Sequence, residues 1–167
     1  MEITPKFTNT QIKALRYLTD DTTNELLFGG GAGGGKSYTG CSWLIVNCLK
    51  YPKTRYLMGR SKLDALKKTG AFIDEANQIT QKAKNIVLSR VRFRLDENNL
   101  IPKVLLTCNP AKNWLYSEWY VPNKQNKLTN DKKFLQSLVT DNPNISKHYI
   151  QTLHKMDTIT KERLLYG

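Results

Sequence analysis

The sequence predicts an α/β domain with a mainly parallel sheet flanked by helices, and three observations carry that prediction. Short apolar runs of strand character alternate with segments of helical periodicity along the 167 residues. A glycine-rich loop ending in Lys36-Ser37 joins one such run to one such helix. Several polar residues fall just past the ends of apolar strands, where open α/β sheets bind ligands.

The elements follow in order. Ile12, Leu15 and Leu18 recur at helical spacing over residues 9–19, behind Thr8 or Thr10 as a cap. Leu26 to Phe28 reads as a short buried strand running into glycine. SYTGCSWLIVNCLKY, residues 37–51, reads as a buried helix stopped by Pro52. A second strand is expected over Thr54 to Gly59, a short helical piece over 62–69, a brief third strand over Gly70 to Asp74 and one helix over 75–92. Lys103 to Thr107 is a fourth strand that breaks at Asn109-Pro110. Helical character returns over 113–122, a strand over 134–139 and helices over 145–156 and 161–165. With no internal repeat and no low-complexity linker, a single domain over residues 1–167 is expected.

Composition excludes several classes. An apolar fraction of 40% with 24% charged residues suits a folded chain rather than a disordered one. The longest strongly apolar stretch, around Trp43 to Val46, is far too short to cross a bilayer, and MEITPKF has no secretory pattern. Cys41, Cys48 and Cys108 are odd in number without CxxC spacing, which argues against a disulfide framework and for a reduced, cytosolic protein. His148 and His154 lack metal-ligand spacing and read as surface or helix residues. The net charge of +12 favours a polyanionic partner such as nucleic acid.

Gly30-Gly31-Ala32-Gly33-Gly34-Gly35-Lys36-Ser37 matches G-x-x-x-x-G-K-[ST] in the strand-to-helix context that the motif needs. Glycine lets consecutive N–H groups converge on phosphate oxygens, and the helix N-terminus favours an anion. Lys36 would reach the β- and γ-phosphates and the Ser37 hydroxyl would ligate Mg²⁺, with Tyr38 next in the candidate nucleotide site. Asp74 and Glu75 close an apolar strand: the first can hold Mg²⁺ through water, the second can polarise an attacking water. A solvated acidic helix start is the plainer reading of such a pair, and the phosphate loop ahead of it favours the functional one. Asn109, after Thr107, offers both donor and acceptor for sensing a γ-phosphate; an ordinary Asn-Pro turn remains the alternative. Gln11 could pair with an adenine edge or simply face solvent.

FGGGAGGGKS, AFIDEANQIT and LLTCNPAKNWLY, in this order, resemble the ATPase domain of the large terminase subunit of tailed phages, the motor that drives DNA into an empty procapsid. The resemblance extends from TNTQIKAL to DNPNISKHYIQTLHKMD and RLLYG, nearly the whole chain. It implies a P-loop NTPase of the additional-strand, catalytic-glutamate type that uses ATP and Mg²⁺. By resemblance Gln11 takes the adenine-recognition position and Gly30 to Ser37 the Walker A loop. Asp74 and Glu75 take Walker B with its catalytic glutamate, and Thr107 to Asn109 the motif that couples hydrolysis to DNA movement. Double-stranded DNA, a portal protein, a small terminase subunit and a homo-oligomeric ring are implied as partners, with no membrane, in the cytoplasm of the infected bacterial host.

Two departures qualify the resemblance. The family carries an RNase H-like nuclease after the ATPase, and its metal-binding aspartates have no counterpart here, so nuclease activity is not expected from this chain. Only ten residues, Ser61 to Gly70, lead from the second strand to the acidic one, barely enough for a parallel crossover. Relatives carry further strands and helices there, so part of the sheet is expected to be missing. Arg60 in cis, or Arg90, Arg92 and Arg94 toward a neighbouring subunit, are candidates for a cation on the transferring phosphate, each equally readable as a DNA-phosphate contact or a solvated charge, and none is assigned as catalytic. Dispersed basic residues (Lys62, Lys67 and Lys68; Lys82, Lys84, Arg90, Arg92 and Arg94; Lys112, Lys124, Lys127, Lys132 and Lys133) suit sequence-independent phosphate contacts. Trp114, Tyr116, Trp119 and Tyr120 read as core rather than as base-stacking residues. A helicase-like ATPase, or a remnant that binds nucleotide or DNA without turnover, are the alternative functions.

Overall fold

A computed structural model describes residues 5–60 and 67–166. Helix α1 (Asn9–Thr19) opens with a reciprocal cap in which Thr8 N–H donates to Gln11 Oε1 at 2.8 Å and Gln11 N–H donates to Thr8 Oγ1 at 3.3 Å. Next come β1 (Glu25–Gly30), α2 (Lys36–Lys50), β2 (Tyr56–Gly59) and β3 (Gly70–Ile73). A 3₁₀ turn (Ala76–Gln78) leads to α3 (Gln81–Arg90), and β4 (Lys103–Thr107) follows. A π-helical turn (Tyr116–Tyr120) runs into α4 (Val121–Lys124). The described chain closes with β5 (Lys132–Ser137), α5 (Lys147–His154), α6 (Thr158–Lys161) and a second π-helical turn (Glu162–Tyr166).

The five strands pair in parallel in the order β2-β3-β4-β1-β5. β4 is thus an additional strand between the loop-bearing β1 and the acidic β3. Because both faces are covered, the central strands read as unbroken apolar runs rather than alternating ones. Leu26, Phe28, Phe72 and Leu105 pack on one face against Ala14, Leu18 and Trp43 of α1 and α2. Leu27, Ile73, Val104 and Leu106 pack on the other against Val87 and Trp119. β2 and β3 pair over four registered positions, Tyr56 with Gly70 through Gly59 with Ile73, so the short link does support a parallel neighbour.

Other local expectations change. In α1 the buried stripe is Gln11, Ala14 and Leu18, while Ile12 is 39% exposed. α2 is not a buried helix. Only Thr39, Gly40 and Trp43 of it are buried, and Ile45, Val46 and Leu49 lie on its outer face at 61%, 56% and 77% exposure. A helix on one face of a sheet needs only one apolar stripe, and here Gly40 lets the backbone close on Phe72, whose ring lies 2.5 Å from where a Cβ would stand. The helix expected over 75–92 is broken, because Glu75 takes a left-handed conformation (φ 51) and Thr80 caps a new helix by accepting from Ala83 N–H at 3.1 Å. Of the short helical piece over 62–69, residues 67–69 are not helical and Lys68 bridges Val91 instead; residues 62–66, Lys62 included, lie outside the described residues.

Two of the basic residues assigned to DNA face an internal ion cluster instead, Lys84 buried and Lys132 half-buried. Lys84 Nζ lies 3.2 Å from Glu25 and 2.7 Å from Glu118, and Lys132 Nζ lies 3.6 Å and 2.6 Å from the same two carboxylates. This four-charge cluster ties α3, β1, the first π-helical turn and β5 together at the amino ends of the strands. Trp119 is core as expected, but Tyr116 is 42% exposed and stacks on Tyr120 with ring centroids 5.2 Å apart.

Asp20 joins α1 to the sheet. Burial alone would raise its pKa, but Lys103 Nζ at 2.9 Å and the N–H groups of Thr23 and Thr22 outweigh burial and hold it at about 2. A folded-state pKa below the unfolded one adds stability above the unfolded pKa, which is lost as pH falls through the folded value. Stability is therefore expected to drop by roughly 1 kcal/mol between about pH 4 and pH 2, after discounting for partial exposure. Urea unfolding across that window tests it, and Asp20→Asn should flatten this part of the profile.

Candidate functional site

The carboxyl ends of β1, β3 and β4 bring three sequence-distant segments together. Gly30 to Gly35 leave β1 and deliver Lys36 and Ser37 into the first turn of α2. Gly33 and Gly35 have φ +76 and +73, a left-handed backbone that glycine adopts without a Cβ penalty. Lys36 Nζ donates to the carbonyls of Gly30 at 3.2 Å and Gly31 at 2.5 Å. Burial lowers the Lys36 pKa from its ordinary value, against the pull of nearby Cys108, Asp74 and Glu75.

Asp74 follows β3 directly and its Oδ1 accepts two hydroxyls, Ser37 at 3.0 Å and Thr107 at 2.5 Å. The expected Ser37–Asp74 pair is thus brought together, and Thr107 of β4, itself a predicted site residue, shares the same carboxylate oxygen, a contact that the sequence did not foresee. Glu75 is tethered twice: Arg60, at the end of the neighbouring β2, lies 3.2 Å from Oε1, and Gln78 Nε2 donates to Oε2 at 3.3 Å. Of the four arginine candidates, Arg60 alone is shown against the acidic pair; Arg94 pairs with Glu97 at 3.5 Å. Cys108 is buried beside this junction and burial pushes its thiol up to about 11.

The remaining predicted residues sit nearby with different surroundings. Gln11 is 5% exposed rather than solvated, and its Nε2 donates to Gly35 O at 3.1 Å. Tyr38 is 47% exposed, with its ring 5.6 Å from that of Phe7. Asn109 is half-buried and makes no side-chain hydrogen bond among the described residues. The sequence reading missed Ser137, the last residue of β5, and Asn142, beyond it, which hold the loop: Ser137 Oγ donates to Gly34 O at 3.0 Å and Asn142 Nδ2 to Gly33 O at 2.7 Å. Polar residues at and past the carboxyl end of β5 were the available signal.

A parallel sheet with a glycine-rich loop on its central strand, helices on both faces and an extra strand beside the loop strand is a P-loop ATPase fold. The chain belongs to the phage terminase large subunit family, whose model matches residues 66–164, a span that holds Asp74, Glu75 and Thr107 to Asn109. Solved structures share its fold. The large terminase of a thermophilic bacteriophage, in complex with ATP-gamma-S, superimposes with a TM-score of 0.75 at 14% identity, over 97% of this chain and 52% of that one. The HK97 bacteriophage large terminase gives 0.64 at 11% identity, over 96% and 50%. The Pif1 helicase of Candida albicans gives 0.53 at 12% identity, over 94% and 46%. The chain thus spans about half the length of these proteins. No curated protein matches it. Among the described residues, no helix is long and apolar enough to cross a membrane.

Proposed function

We propose that this chain is the ATP-hydrolysing motor domain of a phage terminase large subunit, and that it powers movement of double-stranded DNA into the procapsid. The observation that carries the reading is the junction at Asp74 Oδ1, which accepts from the Ser37 hydroxyl at 3.0 Å and from the Thr107 hydroxyl at 2.5 Å. Three motifs far apart in sequence meet there beside the phosphate loop. The large terminase that binds ATP-gamma-S supports nucleotide as the ligand, because it shares this fold.

The donor set suits Mg²⁺. Ser37 Oγ and Asp74 Oδ1 are hard oxygens, and the described residues contain no His/Cys/Asp/Glu group of a kind that would cage another metal. When bound, Mg²⁺ supplies charge neutralisation on the phosphates. In the proposed mechanism the loop amides and Lys36 bind the phosphates of ATP, with Lys36 exchanging its loop carbonyls for β- and γ-phosphate oxygens. Gln11 and Tyr38 flank the nucleotide. Glu75 accepts the proton of the attacking water while Arg60 and Gln78 hold the carboxylate at the strand end. Thr107 reads the state of Asp74, and Asn109 responds to the γ-phosphate. The surface lysines contact DNA phosphates without reading sequence. A homo-oligomeric ring, a portal protein and a small terminase subunit, in the cytoplasm of an infected bacterium, complete the proposal.

Steady-state ATP hydrolysis with and without double-stranded DNA tests it, with Lys36→Ala as the comparison. Hydrolysis that duplex DNA stimulates and the substitution removes is the expected result. Stimulation by single strands with unwinding of duplex would move the reading to a helicase-like enzyme. Nucleotide binding without hydrolysis would leave a nucleotide-binding remnant.

A further inference from the structure

We propose that Asn142 is a positioning residue for the phosphate loop: its amide turns the Gly33–Gly34 peptide so that the Gly34 N–H faces the bound phosphates. The proposal rests on the nucleotide reading above, but its geometry stands in the protein alone. Three consecutive loop carbonyls are each held by a side chain from a different element. Asn142 donates to Gly33 O at 2.7 Å, Ser137 to Gly34 O at 3.0 Å and Gln11 to Gly35 O at 3.1 Å. The described chain has no cis peptide, so in each planar unit the N–H points opposite to its C=O. Fixing these carbonyls outward therefore aims the amides of Gly34, Gly35 and Lys36 to the other side, the concave side of the loop.

The three anchors differ in kind. Ser137 is fully buried and lies on β5, and Gln11 also closes the cap of α1, so each is bound into the scaffold. Asn142 lies beyond the sheet, and its own orientation is set locally, because its Oδ1 accepts from Asn144 N–H at 3.1 Å. With the oxygen occupied, only the NH₂ can face Gly33. Two separate pieces close over the loop: the Ile145 side chain, three residues after Asn142, fills the space where a Cβ on Gly33 would stand, and Leu164 O of the second π-helical turn accepts from Ala32 N–H at 2.9 Å. A glycine-rich loop is flexible by composition, so its anion affinity depends on being held in the binding conformation beforehand.

Asn142→Asp keeps the oxygen that accepts from Asn144 but loses the donor to Gly33, whereas Asn142→Ala loses both. Two measurements on the chain decide the matter: ADP affinity by calorimetry and backbone ¹⁵N order of Gly34 and Gly35 without nucleotide. Both variants are expected to bind ADP about tenfold more weakly or worse. Their Gly34 order parameter should fall from about 0.85 to below about 0.6, with the melting temperature little changed. A native-like Gly34 order and native ADP affinity in Asn142→Asp would overturn the proposal and leave Asn142 as a turn residue. If the native chain binds no ADP, the nucleotide reading fails on its own; unchanged Gly34 order in the variants would then overturn the positioning role, and loss of order would uphold it.

Discussion

Glu75→Gln is expected to lower ATP hydrolysis by about 10²- to 10⁴-fold while ATP and ADP still bind. The amide keeps the size of the carboxylate and can still meet Gln78, which lies 3.3 Å from Glu75 Oε2. The left-handed backbone at this position, φ 51, asks no more of glutamine than of glutamate. What glutamine lacks is the capacity to accept a proton from water. It also ends the ion pair with Arg60, which is 58% exposed and so contributes little to stability. Paired measurements of turnover and of nucleotide binding separate the outcomes. Lost turnover with retained binding identifies the proton acceptor, and unchanged turnover would remove Glu75 from that role.

Lys84→Met is expected to destabilise the fold by about 3 kcal/mol. Lys84 is 2% exposed, and Glu25, 6% exposed, faces it 3.2 Å away. Glu118 sits 2.7 Å from the same ammonium, and its pKa is lowered: burial would raise it, but Lys132 and Lys84 outweigh that. Removing Lys84 turns a balanced set of two cations and two carboxylates into one with a surplus buried negative charge. Lys132 remains, which places the loss at the low end of what broken buried pairs cost. Adding Glu25→Gln to Lys84→Met restores the balance, so the double variant should lose less than the sum of the two single ones. Urea unfolding of the three variants measures this directly. Strict additivity would show that the cluster does not act as a unit.

Much of the fold was legible because its signals are short-range. The apolar runs at Leu26 to Phe28 and, within Lys103 to Thr107, at Val104 to Leu106 announced buried parallel strands, and the structure extends or reproduces both. The helix cap, narrowed by sequence to Thr8 or Thr10 and found at Thr8, and the loop from Gly30 to Ser37 were equally local. Periodicity failed where two explanations share one pattern. The run Trp43 to Val46 puts apolar residues on more than one side of α2, yet the helix touches the sheet along one stripe only, so Ile45 and Leu49 end outside. A lysine on α3 looked like any surface charge until β1 and the first π-helical turn placed a carboxylate on either side of it.

The same division runs through the candidate site. The phosphate loop is a backbone device of eight contiguous residues, so glycine spacing and one Lys-Ser pair suffice to specify it. Asp74 and Glu75 were readable because the strand that carries them ends there. The partners of these groups were not readable: Thr107 on Asp74, Arg60 on Glu75, and Gln11, Ser137 and Asn142 on the loop carbonyls. Each of those contacts joins strand ends or helices that are far apart in sequence, and which ends become neighbours depends on strand order. That order is set by burying both faces of the sheet at once, a condition that no local segment carries. The sequence by itself determined the chemistry available to this protein; the tertiary structure decided which groups hold that chemistry in place.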